Sequence, residues 1–224
     1  MPDPTALVFD FDGVIADSEP AHARSIKVAL ERLGLEFPYE HDYARFIGKG
    51  DRECFLEVAR EQGRDLTGAD LDWLAHHKRA AFVQALDEGL VRPFDATIDL
   101  IRAAAGVAPL AVCSGSVRGT VMPVLDRFAI TGCFAAIVTA SEAARNKPDP
   151  MPYLMAAQHL GAEPAACVAI EDSPTGIRSA RAAGYGKVIG VCHSFGPDKL
   201  NEAHEVHEST SLLRPDMIFA GTSR

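Results

Sequence analysis

Two aspartates, Asp10 and Asp12, stand two positions apart at the end of the apolar run Ala6-Leu7-Val8-Phe9, and Gly13 follows at once. Four apolar residues without alternation fit a strand buried on both faces of a parallel sheet. The carboxyl end of such a strand opens into the crevice where ligands of open α/β folds bind. In a strand, this spacing puts both carboxylates on one face; in the turn that Gly13 implies, they straddle one reacting atom instead. Taken alone, Asp-x-Asp-Gly also describes a solvated turn. An EF-hand loop is excluded, because Val14 stands where a third ligand is needed and no Glu closes the twelve-residue loop.

Three further groups follow apolar runs that read as strands. Leu110 to Cys113 leads into Ser114-Gly115-Ser116, a hydroxyl and a glycine at a helix start, suited to holding an oxyanion through Oγ and backbone N–H groups. Beyond Val138, Lys147 stands in Asn146-Lys147-Pro148-Asp149-Pro150, where two prolines stiffen the backbone. The run ending at Ile170 delivers the adjacent carboxylates Glu171 and Asp172 to a helix N-terminus. Acids gathered at one end of a sheet repel one another unless positive charge sits among them. Hard oxygen donors with room for water and phosphate describe a Mg2+ site. The expected cluster is therefore Asp10, Asp12 and Asp172, with Glu171 beside them, around Mg2+, faced by Lys147 and Ser114.

The elements that must carry these groups follow from the pattern of the chain. After Pro20 about seventy residues read as helix: Ala21 to Arg32, a second helix after the Ile47-Gly48-Lys49-Gly50-Asp51 turn, and Asp70 to Leu86. Strand-helix alternation then resumes, with helices at 96–105, 118–128, 150–160 and 175–183 and strands at 110–113, 136–138, 167–170 and 187–191, ending in a short strand near 217–219. The fold class is α/β, a Rossmann-like parallel sheet covered on both faces, with an α-helical cap inserted after strand one. Residues 1–17 and 91–224 would form the core and 18–90 the cap, hanging over the carboxyl edge of the sheet as a lid. The polar, His-rich stretch 201–214 reads as a solvated loop, its His204 and His207 lacking a persuasive third metal ligand.

Composition narrows the partners. With 224 residues, nearly half apolar and about a quarter charged, the chain has an ordinary globular core. A net charge of −9 argues against a general nucleic-acid or anionic-membrane surface. No apolar run approaches the roughly 20 residues of a membrane span, and no basic leader precedes one. The five cysteines show no CxxC pair; Cys113, Cys167 and Cys192 lie in apolar runs and read as reduced core residues of a cytoplasmic protein. A monomer or weak dimer is the expected assembly.

The quoted segments DFDGVIADSEP, SGS, NKPDP and IEDSPTGI together resemble the four motifs of the haloacid dehalogenase-like hydrolases, most of all the branch of sugar-phosphate phosphatases and β-phosphoglucomutase. The resemblance runs from Leu7 to about Val191. It implies that Asp10 is the nucleophile that becomes an aspartyl-phosphate and that Asp12 is the general acid and base. It further implies that Ser114 and Lys147 hold phosphoryl oxygens. Mg2+ would be bound by Asp10, the Asp12 backbone carbonyl, Asp172 and Glu171. The expected activity is Mg2+-dependent hydrolysis of a small phosphorylated metabolite, a sugar phosphate first of all. The alternative is a β-phosphoglucomutase-like mutase.

Substrate contacts are expected from Gly115 and Ser116 in the core and from the cap. His22 matches a histidine of the mutase-like branch that many phosphatases share. Residues 46–53 look like the specificity loop, in which Gly48 lets the backbone approach the ligand and Arg52 pairs with it. The mutase has a lysine immediately before this glycine, where Ile47 stands here; Lys49 is the available substitute. A response-regulator receiver also combines acids, a hydroxyl and a lysine. It is disfavoured because its phosphorylated Asp follows a later strand and it lacks the long helical insertion.

Overall fold

A computed structural model describes residues 3–37 and 43–219. Ala6–Phe9 (β1) lies at the centre of a six-stranded sheet whose other members are Leu110–Cys113 (β4), Ala136–Val138 (β5), Cys167–Glu171 (β6), Lys187–Val191 (β7) and Glu205–His207 (β8), in the order β5-β4-β1-β6-β7-β8. Every pairing is parallel. All four residues of β1 are fully buried, as an unbroken apolar run requires. Two short strands, Ala16–Asp17 (β2) and Arg92–Pro93 (β3), pair as a separate ribbon.

The chain divides into two compact units, residues 1–17 with 93–224 and residues 18–92. In the first, the helices Asp95–Ala104 (α4), Arg118–Arg127 (α5), Met151–His159 (α6) and Pro174–Ala182 (α7) alternate with the strands. Chain order moves from β1 outward through β4 to β5, then returns to the other side of β1 with β6. That reversal sets a topological switch point between β1 and β6, where a binding crevice is expected. Register decides what meets there. Phe9 pairs with Val112 on one side and Ile170 on the other, so Asp10 arrives level with Cys113 and Glu171.

The second unit is helical, built from Glu19–Arg32 (α1), Asp51–Glu61 (α2) and Gly68–Asp87 (α3). Ile26, Leu30, Phe46, Phe55, Val58 and Leu74 share its own core. The longest helix, α3, opens with a full capping box: Thr67 Oγ1 accepts from the Asp70 N–H at 3.2 Å, and the Asp70 carboxylate accepts from the Thr67 N–H at 2.8 Å.

The sequence pattern places the alternating elements within two residues of those observed, but the C-terminal part differs. Residues 215–219 form a short helix (α8, Pro215–Phe219) and not the expected last strand. Pro215 opens it, a position where fixed φ favours helix, and the apolar triplet is too short to impose strand periodicity. The sixth strand is instead β8, inside the stretch expected to be a solvated loop. As an edge strand of alternating Glu205-Val206-His207 it shows only one apolar residue, so hydropathy does not reveal it. His204 there accepts a hydrogen bond from the Val188 N–H through Nδ1 at 2.8 Å, satisfying the sheet backbone. Cys192 and Cys133 are half-buried, whereas Cys54, Cys113 and Cys167 are buried; all five are free thiols. Burial pushes the Cys113 thiol up to about 12, which keeps it protonated at neutral pH. Among the described residues no helix is long and apolar enough to cross a membrane.

Thr67→Ala should lower stability by about 1 kcal/mol through loss of the cap, while Thr67→Ser retains most of it. Thermal melts of the two variants beside wild type check this.

Candidate active site

At the carboxyl edge of the sheet the register delivers a buried charge cluster. Asp10 is 7% exposed, Asp172 3% and Glu171 not at all. One carboxylate oxygen from each of the three lies within 4.8 Å of the others. Lys147 reaches into this cluster from the loop after β5 and donates to Asp10 Oδ1 at 2.7 Å, Glu171 Oε1 at 2.6 Å and the Cys113 carbonyl at 2.9 Å. The three acceptors are the groups that strand register aligns, so a single ammonium satisfies the tips of three neighbouring strands. Its loop includes a cis Lys147–Pro148 bond.

Charge balance shapes the chemistry of these groups. Burial, with Glu171 and Asp172 adding like charge, pushes the Asp10 carboxyl well above the ordinary carboxylate value, and Lys147 offsets only part of this. Burial alone would lower the Lys147 pKa, but Asp10 and Glu171 reverse that and hold it above the ordinary lysine value. Glu171 is heavily engaged: Lys147 and Tyr153 donate to its Oε1, the tyrosine at 2.7 Å, and Ser173 donates to Oε2 at 3.1 Å. Ser173 is also the N-cap of α7, accepting from the Gly176 N–H at 3.1 Å.

Two glycines make room for the carboxylates. Gly13 has φ +77°, and a Cβ there would lie 1.8 Å from Asp172 Oδ2. A Cβ on Gly176 would lie 1.8 Å from Glu171 Oε1. Neither position accommodates a side chain without displacing an acid of the cluster.

Asp12 belongs to the turn after β1, where the Phe11 carbonyl accepts from the N–H groups of Val14, Ile15 and Ala16. The expectation of a turn, and not a continued strand, holds here. Ser116 Oγ donates to Asp12 Oδ2 at 2.7 Å, and the Ser116 N–H donates to Ser114 Oγ at 2.9 Å. The Ser114-Gly115-Ser116 segment thus meets the Asp10-x-Asp12 turn directly, with Ser114 buried.

The remaining candidates lie in the helical unit with partners of their own. His22 is buried; its Nδ1 is 2.8 Å from Lys78 Nζ, and its ring lies against Phe82. Lys78, 2% exposed, pairs with Asp51 at 3.0 Å. Gly48 has φ +80°, a left-handed turn residue. Lys49 forms an ion pair with Glu57 at 2.6 Å, and Arg52 faces Asp72 at 4.0 Å. Sequence reading passes over Lys78, although a lysine in register with Leu74 and Phe82 on an apolar helix face is a visible signal. It also passes over Tyr153, whose position within an apolar helix gives no such signal.

All donors in the cluster are carboxylate oxygens, buried together against one lysine. This set fits a hard divalent cation such as Mg2+, which would neutralise the residual negative charge. A parallel sheet whose switch point carries such a set belongs to the class of α/β enzymes with a carboxylate-based, metal-compatible centre. More particularly, the chain belongs to the haloacid dehalogenase-like hydrolases, whose family model matches residues 4–184. Fructose-1-phosphate phosphatase YqaB of Escherichia coli is 33% identical over 184 residues, spanning 81% of this chain and 94% of that protein. The phosphorylated carbohydrates phosphatase of Thermotoga maritima is 28% identical over 219 residues, 96% of each chain. The crystal structure of CbbY from Rhodobacter sphaeroides in complex with phosphate matches with a TM-score of 0.85 at 25% identity, over 94% of this chain and 96% of that one.

Lys147→Met leaves Asp10 and Glu171 facing each other with no cation, which should cost about 3–5 kcal/mol. The folded-state pKa of Asp10 is already raised, so its ionisation costs stability as pH rises through that value, and removing Lys147 enlarges the cost. In metal-free thermal melts the deficit should grow as pH is raised above the ordinary carboxylate range and shrink as pH is lowered into it.

Proposed function

We propose that the chain is a Mg2+-dependent phosphomonoesterase of small phosphorylated metabolites, with a sugar phosphate as the first substrate class, working through an aspartyl-phosphate on Asp10. The observation that carries this reading is the pairing of a buried, lysine-bound Asp10 with a second aspartate, Asp12, two residues on and held by its own hydroxyl donor. The phosphatases of phosphorylated carbohydrates among its relatives support the substrate class.

In the first step an oxygen of Asp10 attacks phosphorus and the ester P–O bond breaks. Asp12 gives its proton to the departing alkoxide, a role unnecessary for release of a halide. In the second step Asp12 takes a proton from water, the hydroxide attacks the aspartyl-phosphate, and the bond to Asp10 breaks to release inorganic phosphate. Ser114 accepts from the Ser116 N–H, which leaves its own hydroxyl proton to donate to a phosphoryl oxygen. Lys147 supplies a fixed positive charge beside the same oxygens. Asp10, Asp172 and the Asp12 carbonyl would hold Mg2+, which when bound offsets the charge on the transferring phosphoryl group. Glu171, committed to Lys147, Tyr153 and Ser173, serves mainly to fix the lysine in place.

Residues 18–92 are read as the cap that selects substrate, through His22, Gly48, Lys49 and Arg52. The competing mutase reading needs the same core, and the apolar Ile47 before Gly48 favours hydrolysis over it. The protein is taken to be cytoplasmic, as a monomer or weak dimer, with no nucleic-acid partner.

Asp10→Asn should abolish turnover, and EDTA should do the same to wild type until Mg2+ is restored. A panel of fructose 1-phosphate, glucose 1-phosphate with and without a bisphosphate, phosphoglycolate and nucleotides tests the class. Phosphate release from the sugar phosphates supports hydrolysis, and isomerisation of glucose 1-phosphate would replace it by the mutase. Full activity of Asp10→Asn would overturn the mechanism.

A further inference from the structure

β7 supplies no residue to the mechanism above, yet the loop that leaves it returns to the turn after β1. His193 Nδ1 lies 2.8 Å from the Gly13 carbonyl oxygen. A carbonyl only accepts, so this nitrogen carries the proton and donates. The imidazole is stacked on Phe94, with ring centroids 4.1 Å apart and planes 14° from parallel. The Phe94 N–H in turn donates to the Ile15 carbonyl at 3.0 Å. These contacts close a circuit around the turn, from Gly13 through His193 and Phe94 back to Ile15. The next residue, Ser194, reaches the same place: its Oγ lies 2.6 Å from where a Gly13 Cβ would stand, beside Asp172 Oδ2.

Gly13 is the softest point of this turn. At φ +77° and without a side chain, its peptide planes swing at little cost unless both polar groups are held. Its N–H donates to the Ala16 carbonyl at 2.9 Å, which fixes one side. On the other side, the Gly13–Val14 peptide is held at long range by the Val14 N–H, 3.3 Å from the Phe11 carbonyl, and more closely by His193, 2.8 Å from the Gly13 carbonyl. The residue immediately before it is Asp12, and the acid packed against it is Asp172.

We propose that His193 is a positioning residue: its Nδ1–H, aimed by the Phe94 ring, locks the Gly13 peptide and so holds the Asp12 backbone and Asp172 in the arrangement that binds Mg2+. The role rests on the phosphatase reading for its catalytic consequence, but its effect on metal binding stands apart from it.

Two substitutions separate donor from stack. His193→Phe keeps an aromatic ring against Phe94 and removes the donor. His193→Asn puts an amide N–H near the Nδ1 position and removes the stack. Mg2+ binding by the substrate-free protein is followed by calorimetry and by the Mg2+-induced rise in Tm, and kcat and KM are measured on p-nitrophenyl phosphate. His193→Phe should weaken Mg2+ binding or lower kcat by about 10–100-fold, the range seen when a partner orienting a metal-site group is lost, with KM nearly unchanged. His193→Asn should recover most of that loss. Mg2+ affinity and kcat both within about twofold of wild type in His193→Phe would overturn the proposal, as would equal losses in the two variants, which would make the residue a packing element. Absence of phosphatase activity in wild type would overturn the functional reading alone, because the Mg2+ titration still decides the role of His193.

Discussion

One buried ammonium underlies the whole arrangement. Lys147 bonds to the tips of three adjacent strands at once, through Asp10 after β1, the Cys113 carbonyl of β4 and Glu171 of β6. A charged group nine-tenths buried is costly unless paired, and two carboxylates in the same place are costly without a cation. Each therefore depends on the other. The lysine meets two of the three acids directly, Asp10 and Glu171, while Asp172 brings a third carboxylate oxygen to within 4.8 Å of theirs.

This dependence explains the amount of structure devoted to Glu171. Tyr153 from α6 and Ser173 from the start of α7 both donate to it, and the absence of a side chain at Gly176 gives it space. Glu171 thus connects the packing of two helices to the position of the lysine, and the lysine connects it to Asp10. Asp10 is placed by the sheet, through register; the turn after it depends on Gly13, which takes a conformation that side chains disfavour.

Much of this was legible in the sequence, for identifiable reasons. Buried parallel strands are unbroken apolar runs, so β1, β4 and β6 announce themselves, and the groups that follow each one must meet at one edge. Asp10, Ser114, Glu171 and Asp172 were found this way, and the convergence is geometric. Two things were hidden. Edge strand β8 exposes one face and shows no apolar run, so it passed for a loop, while the apolar Met217-Ile218-Phe219 passed for a strand. Residues that act on the cluster from inside helices, such as Tyr153, are indistinguishable from core packing, because their task is set by a partner distant in sequence. His193 was missed for a different reason: its strand offers no carboxylate, and only the fold shows that its loop turns back.

The central place of β1 has a cost in time. Both of its neighbours, β4 and β6, come later in the chain, and Ala6–Phe9 pairs with residues as distant as Cys167–Ile170. A growing chain therefore makes this fully apolar segment before either of its neighbours, and its second partner, β6, follows only after β4 and β5. Such long-range pairing is intrinsically slow, and unpaired strand edges invite association between nascent chains. The order that puts Asp10 at the heart of the sheet also leaves its strand the longest without both partners during synthesis.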